Sequence, residues 1–421
     1  MTGRWIAAAL ALAGALAALP SAAADPAPTP AEARAQVFEA AWKTVNETFY
    51  DPHFHGADWT ALRDRYRARL ATVADDAGLQ RLITAMLGEL KSSHLYISRT
   101  TPGANGVGVG ARIETLEGVD TVLEIAPLSD AQAKGLKVGD RIPGGSAALS
   151  GPAGSVAQVA VQRCDGTTKT LAIRRERWAF PLEHPGFRWS RLRVAPDKVL
   201  GYIRIDRFDD GAAELADQAM AELAKTQGIV IDIRANSGGN ISALRLASYF
   251  IEGGGPGIAL FARPYLAALG HPVTAADVAR APKVTGRYED AGVFKAIEEG
   301  GGGTVFQIED PGAKRYRGPV VVLMGPETAS AAEGFAWVMK ARSAARLIGQ
   351  PTAGYILSGE DFDIAPGWSL TVPTAGLWSP AGEDLGDKAV TPHETAPERR
   401  ADLCAGRDRE AERAVASLSG G

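Results

Sequence analysis

Ser330 is the first residue here to consider for chemistry. It lies in Glu327-Thr328-Ala329-Ser330-Ala331-Ala332-Glu333, directly after an apolar run over 319–324. A short β-branched apolar run predicts a buried strand, and the Ala-rich stretch 331–340 predicts a helix. Ser330 then stands at a strand-to-helix turn, where the first N–H groups of the helix have no internal partner and can serve an oxyanion. The small neighbours Ala329, Ala331 and Ala332 would let a substrate backbone approach. The plain alternative is a helix start capped by Ser330 or Thr328.

Three other segments could complete such a site. In 231–240 a predicted buried strand runs through Asp232 into Gly238-Gly239, and paired glycines allow backbone N–H groups to point at a ligand oxygen. Ser92-Ser93-His94 supplies an imidazole able to act as a general base near neutral pH. The stretch 382–392 offers Glu383, Asp384 and Asp387, any of which could orient that imidazole. Read singly, these are a β–α turn, a capping histidine and an acidic surface loop. His53 and His55 form an H-x-H pair, but Pro52 and Gly56 mark a turn and no third ligand has suitable spacing, so no metal is expected. The glycine clusters at 253–255 and 300–303 lack the Gly-Lys-Ser/Thr ending of a phosphate loop, so no nucleotide cofactor is expected.

The elements that must position these residues follow from pattern. Residues 31–90 read as helical, with further helices over 59–70 and 78–90. Residues 106–177 carry short alternating strands (106–113, 121–125, 156–163, 169–174) and a helical patch at 131–134. From 199 on, strands at 200–205, 228–233, 320–324 and 346–348 alternate with helices at 212–225, 241–250 and 331–340. Repeated β–α units imply a layered α/β domain with a mostly parallel sheet. The insertion 253–316 reads as a lid or specificity loop, and the charged end as a surface helix and a frayed tail.

The N-terminus reads as a secretory signal peptide over 1–24: Arg4, an apolar stretch 5–19, and Ala22-Ala23-Ala24 before Asp25. The apolar stretch falls short of the ~18–20 residues a span requires, so an exported chain, periplasmic or secreted, without a membrane span is expected. The net charge of −4 and the absence of a basic run argue against a nucleic-acid partner. Cys164 and Cys404 are far apart in a chain large enough not to need a bridge, so two separate thiols are expected.

Taken together, the chain resembles the S41 family of serine peptidases, the tricorn-like and C-terminal-processing group. The resemblance rests on 232–239, on 325–333 and on Gly349-Gln350-Pro351-Thr352-Ala353-Gly354, and covers about 33–392. The processing branch has a catalytic lysine directly after the glycine matching Gly354, where this chain has Tyr355. A phenol of pKa ~10 does not replace that base. The tricorn-like branch has a serine-preceded histidine, which Ser93-His94 resembles. The resemblance therefore implies Ser330 as nucleophile, His94 as general base, Ser93 as its orienting partner and an acid completing a tetrad. Glu383 matches the acid if a three-residue insertion, 387–389, is allowed; Asp384, Asp387 and Glu360 are the alternatives. Oxyanion donors implied are the N–H groups of Ala331 and of Gly238 or Gly239.

Residues 128–142 resemble part of a PDZ domain, although a Gly/Ser/Ala stretch, 144–154, stands where the second helix belongs. A structural or gating role therefore stands beside peptide capture. The resemblance implies an N-terminal helical domain (31–100), a PDZ-like domain (102–178), a catalytic domain of the ClpP/crotonase-like spiral β–α type (185–396) and a tail (397–421). The expected partner is a peptide or unfolded polypeptide, with homo-oligomer formation left open. The alternative is a non-catalytic ligand- or peptide-binding protein on the same scaffold.

Overall fold

The computed structural model describes residues 29–99, 107–177 and 186–420, so the signal-peptide reading of 1–24 lies outside the described residues. The N-terminal helices form as Pro30–Thr48, Trp59–Arg67 and Asp76–Gly88, each started by a side-chain cap from Thr29, Asp58 or Asp75. Their apolar faces, including Phe38, Val45, Ile83 and Met86, share one core with Leu370, Val372 and Trp378 of a neighbouring sheet.

The α/β region holds a six-stranded sheet in the order Glu394–Thr395, Arg346–Gly349, Val320–Met324, Ile229–Asp232, Lys198–Ile205, Phe187–Ala195. Its ladders are parallel except the last, as the repeated β–α units predict. Successive side chains of a strand face opposite sides. Val320, Val322 and Met324 pack under the helices Ala212–Leu223, Ala243–Ser248 and Ala331–Ala341. Val321 and Leu323 pack with Ala414 and Leu418 of the helix Arg409–Ser419. That last helix thus seals the second face of the sheet; its two buried apolar positions are four apart and hidden among charges.

The second sheet corrects the sequence reading. Residues 253–316 are not a lid: they contribute Gly255–Ala262, Lys283–Val284 and Gly303–Ile308 to a sheet that also contains Tyr96–Arg99, Ser358–Ala365 and Trp368–Trp378. Gly303 could carry no side chain, because a Cβ there would lie 2.5 Å from the Tyr265 ring. The glycine-rich ends of these strands hide them from a pattern search.

Between the two regions, Ala111–Leu116 pairs with Val119–Ile125, and Val156–Gln162 with Thr168–Arg174, around Val122, Val159 and Ile173. The stretch 144–154 forms only the 3-10 turn Ser146–Leu149. Contrary to expectation, Cys164 and Cys404 are bonded, with Cα atoms 5.6 Å apart. Their separation of 240 residues is no obstacle, because the chain returns to this small unit after the last strand of the first sheet. The Arg400 guanidinium secures the same junction, donating to the carbonyls of Gly139, Gln162 and Arg163.

Cys164 is exposed and open to reductant. Cys164→Ser, or reduction of the wild type, should lower stability by on the order of 2–4 kcal/mol, read as a lower melting temperature. Identical melting curves with and without reductant would mean that the bridge does not support the fold.

Candidate active site

Ser330 precedes the helix Ala331–Ala341 with φ 54° and ψ −123°. A non-glycine residue at positive φ is strained and persists only where its surroundings impose it. Here they are explicit. The Ser330 N–H donates to the Tyr355 carbonyl at 2.6 Å and to Glu333 Oε2 at 3.1 Å. The Ala329 N–H donates to the Asn236 carbonyl, and the Thr328 hydroxyl to the Ile233 carbonyl, tying the serine turn to the Gly-Gly turn. Glu333 is fully buried and also accepts from the Thr352 hydroxyl and the N–H groups of Gly354 and Tyr355. Burial pushes its carboxyl above the ordinary value, and those hydrogen bonds hold it down. The sequence reading gave Glu333 no role, though the Ser-x-x-Glu capping-box spacing of Ser330 and Glu333 is a usable signal.

The Gly-Gly turn approaches Ser330 closely. A Cβ on Gly238, at φ 117°, would lie 2.6 Å from Ser330 Cβ. The Gly238 N–H is already donated to Asn236 Oδ1 at 2.8 Å. Of the implied oxyanion donors this leaves Gly239 and Ala331, which donate to no other group among the described residues.

His94 lies in the turn between the helix Asp76–Gly88 and the strand Tyr96–Arg99, at φ 54°. It packs on Gly359, whose Cβ position is 3.1 Å from His94 Cβ. Its ring stands edge-on to the Tyr355 ring, with centroids 6.3 Å apart. The Ser330 and His94 turns therefore flank the same residue, Tyr355. Burial lowers the His94 pKa, and the Asp387 charge acts to raise it. Ser93 Oγ and His94 Nδ1 are buried with no protein partner among the described residues.

The four candidate acids occupy different places. Asp387, itself at φ 54°, accepts the Ser93 N–H at 2.7 Å. Glu383 is largely exposed and lies 3.9 Å from the Lys388 ammonium, its one ion-pair partner among the described residues. Asp384 accepts the Gly386 N–H and is raised above the usual carboxylate range, chiefly by burial. Glu360 accepts the Thr374 hydroxyl, and the alternation of its strand turns it away from the face on which Gly359 meets His94.

A cavity of about 550 Å³ opens beside Ala329, Ser237 and Tyr355. The small β unit contributes Arg112 to its wall, and that guanidinium meets Glu327, three residues before Ser330, at 2.7 Å.

Glu333→Gln would turn an NH₂ group toward N–H donors. It should cost roughly 2–4 kcal/mol in urea unfolding; unchanged stability would show that the serine turn does not depend on this carboxylate.

Residues 199–396 match the model for Peptidase family S41, and 30–88 that for the Tricorn protease C1 domain. Carboxyl-terminal-processing peptidase 2, chloroplastic, of Arabidopsis thaliana is 25% identical over 399 residues, covering 86% of this chain and 68% of the relative. Tricorn protease homolog 1 of Streptomyces coelicolor is 24% identical over 422 residues, 92% of this chain but 35% of that protein. Among solved structures, the photosystem II D1 C-terminal processing protease superposes with a TM-score of 0.54 at 22% identity, over 86% of this chain and 93% of that one. Mature CPAF complexed with lactacystin gives 0.62 at 14% identity, over 91% and 98%. The two family matches fall on the helices that lead to His94 and on the sheet that carries Ser330, and the chain is a serine-type peptidase of family S41.

Proposed function

We propose that this peptidase cleaves peptide bonds through an acyl-enzyme on Ser330, with His94 as general base. His94 takes the Ser330 hydroxyl proton as Oγ attacks the scissile carbonyl. The Gly239 and Ala331 N–H groups stabilise the resulting oxyanion, and the imidazolium returns its proton to the leaving amine. A water, activated by the same imidazole, then releases the acyl group. The observation that supports this most is the strained Ser330 turn, braced by Glu333 and flanked through Tyr355 by His94. Asp387 takes the acidic role in place of Glu383, because its carboxylate is the one that meets Ser93 and whose charge acts on His94. The substrate is a short or unfolded polypeptide entering the cavity that Arg112 helps to wall. The small β unit, read as PDZ-like, serves there as a wall and gate. Export follows from the reading of 1–24.

Ser330→Ala and wild type, incubated with a mixed peptide library and read by mass spectrometry, test this directly. Cleavage by wild type alone is expected; equal cleavage by the variant would overturn the mechanism. Cleavage by neither, with both folded, would favour the binding alternative.

His94 must be neutral to act as base, and burial lowers its pKa. The acid limb of kcat/KM against pH should therefore fall below the ordinary histidine value of ~6.5. Asp387→Asn removes the charge that raises this pKa, so the limb should move to still lower pH, with kcat down by about 10²-fold or more. Glu383→Gln should change neither. The reverse pattern would return the acidic role to Glu383.

A further inference from the structure

The His53-x-His55 pair is a turn, as its sequence predicts, but His55 does more than turn the chain. Phe54 and His55 both have positive φ, 50° and 53°, two consecutive non-glycine residues in the left-handed region. Such strain must be held by its surroundings. Asp51 holds it, accepting the N–H groups of His53 at 2.9 Å and His55 at 2.6 Å. The result aims the imidazole across the N-terminal helices. Its Nδ1 lies 2.9 Å from the carbonyl oxygen of Leu90, and its Nε2 lies 2.9 Å from the Tyr50 hydroxyl. A carbonyl can only accept, so Nδ1 carries the hydrogen, which leaves Nε2 to pair with the Tyr50 hydroxyl.

Both ends of this link matter to the site. Leu90 is buried and stands four residues before His94, at the start of the turn that carries Ser93 and His94. Tyr50 is buried, donates its N–H to the Pro373 carbonyl of the second sheet, and packs edge-on to Trp378. The charges facing this pair are Asp51, Asp384 and Asp387. The Tyr50–His55 pair thus ties the end of the first helix, the histidine turn and the sheet.

We propose that His55 is a positioning residue for catalysis: through the Leu90 carbonyl it fixes the turn that presents His94, with Tyr50 holding its tautomer. The proposal rests on the reading of Ser330 and His94 as nucleophile and base. Misplacing a catalytic group by about 1 Å can cost ~10²-fold in rate, so the effect belongs in kcat and not in KM.

The test compares His55→Gly, His55→Asn and His55→Gln in the full chain, with Ser330→Ala and His94→Ala alongside. Glycine relieves the backbone but removes the donor. Asparagine tolerates the left-handed conformation and puts an amide N–H where Nδ1 was. Glutamine carries its amide further out. The expected result is a 10- to 100-fold loss of kcat in His55→Gly at unchanged KM, with His55→Asn within about threefold of wild type. Wild-type kcat in a folded His55→Gly would overturn the proposal. If the glycine variant does not fold, equal rates for the asparagine and glutamine variants would overturn it instead. Activity surviving in Ser330→Ala or His94→Ala would show a different failure, that of the underlying mechanism.

Discussion

The geometry around Ser330 depends on one buried carboxylate. Glu333 has no solvent exposure, and its two oxygens accept from Ser330, Thr352, Gly354 and Tyr355. A buried charge is costly unless it is fully hydrogen-bonded. Here the cost is offset by donors from two chain segments, which have to converge to supply them. One is the start of the helix that follows the serine, and the other is the loop 352–355. Their convergence brings the Tyr355 carbonyl to the Ser330 N–H and sets Tyr355 against His94. The positive φ of Ser330 is the local consequence of this arrangement, and its strain is sustained by burial elsewhere.

The same logic recurs at the other candidate residues. His94 and Asp387 also have φ of 54°, and each lies in a turn between more regular elements. The sheets supply the rigidity these turns lack. The serine turn follows the central parallel strand Val320–Met324, whose faces are covered by helices from both sides. The histidine turn enters the second, mostly antiparallel sheet through the antiparallel pairing of Tyr96–Arg99 with Trp368–Trp378. The candidate site is therefore assembled across two sheets, with Ser330, His94 and Asp387 on the connections and not within the strands.

Much of this was readable from sequence because the relevant signals are local. The β-branched run before Ser330, the Ala-rich helix after it and the Gly-Gly turn each fall within a short window and carry their own periodicity. The signals that failed are non-local. Glu383 and Asp387 differ by one turn of an irregular loop, and only the fold decides which meets Ser93. The second sheet draws strands from before the small β unit, from 253–316 and from 358–378, so no single stretch shows a β–α rhythm. Glu333 was visible as part of a motif, but its role appears only when residues 352–355 come to meet it.

The bridge between Cys164 and Cys404 bears on the order in which the molecule is made. Cys404 follows every strand of both sheets, while Cys164 precedes most of them. The bond therefore cannot close until the strands of both sheets have been synthesised and the chain has returned to the small β unit; of the helices packed on them, only Arg409–Ser419 follows Cys404. Closure locks strands that are already made, and a chain arrested before residue 404 would keep the Arg112–Glu327 contact but lack the covalent link between the small unit and the end of the chain.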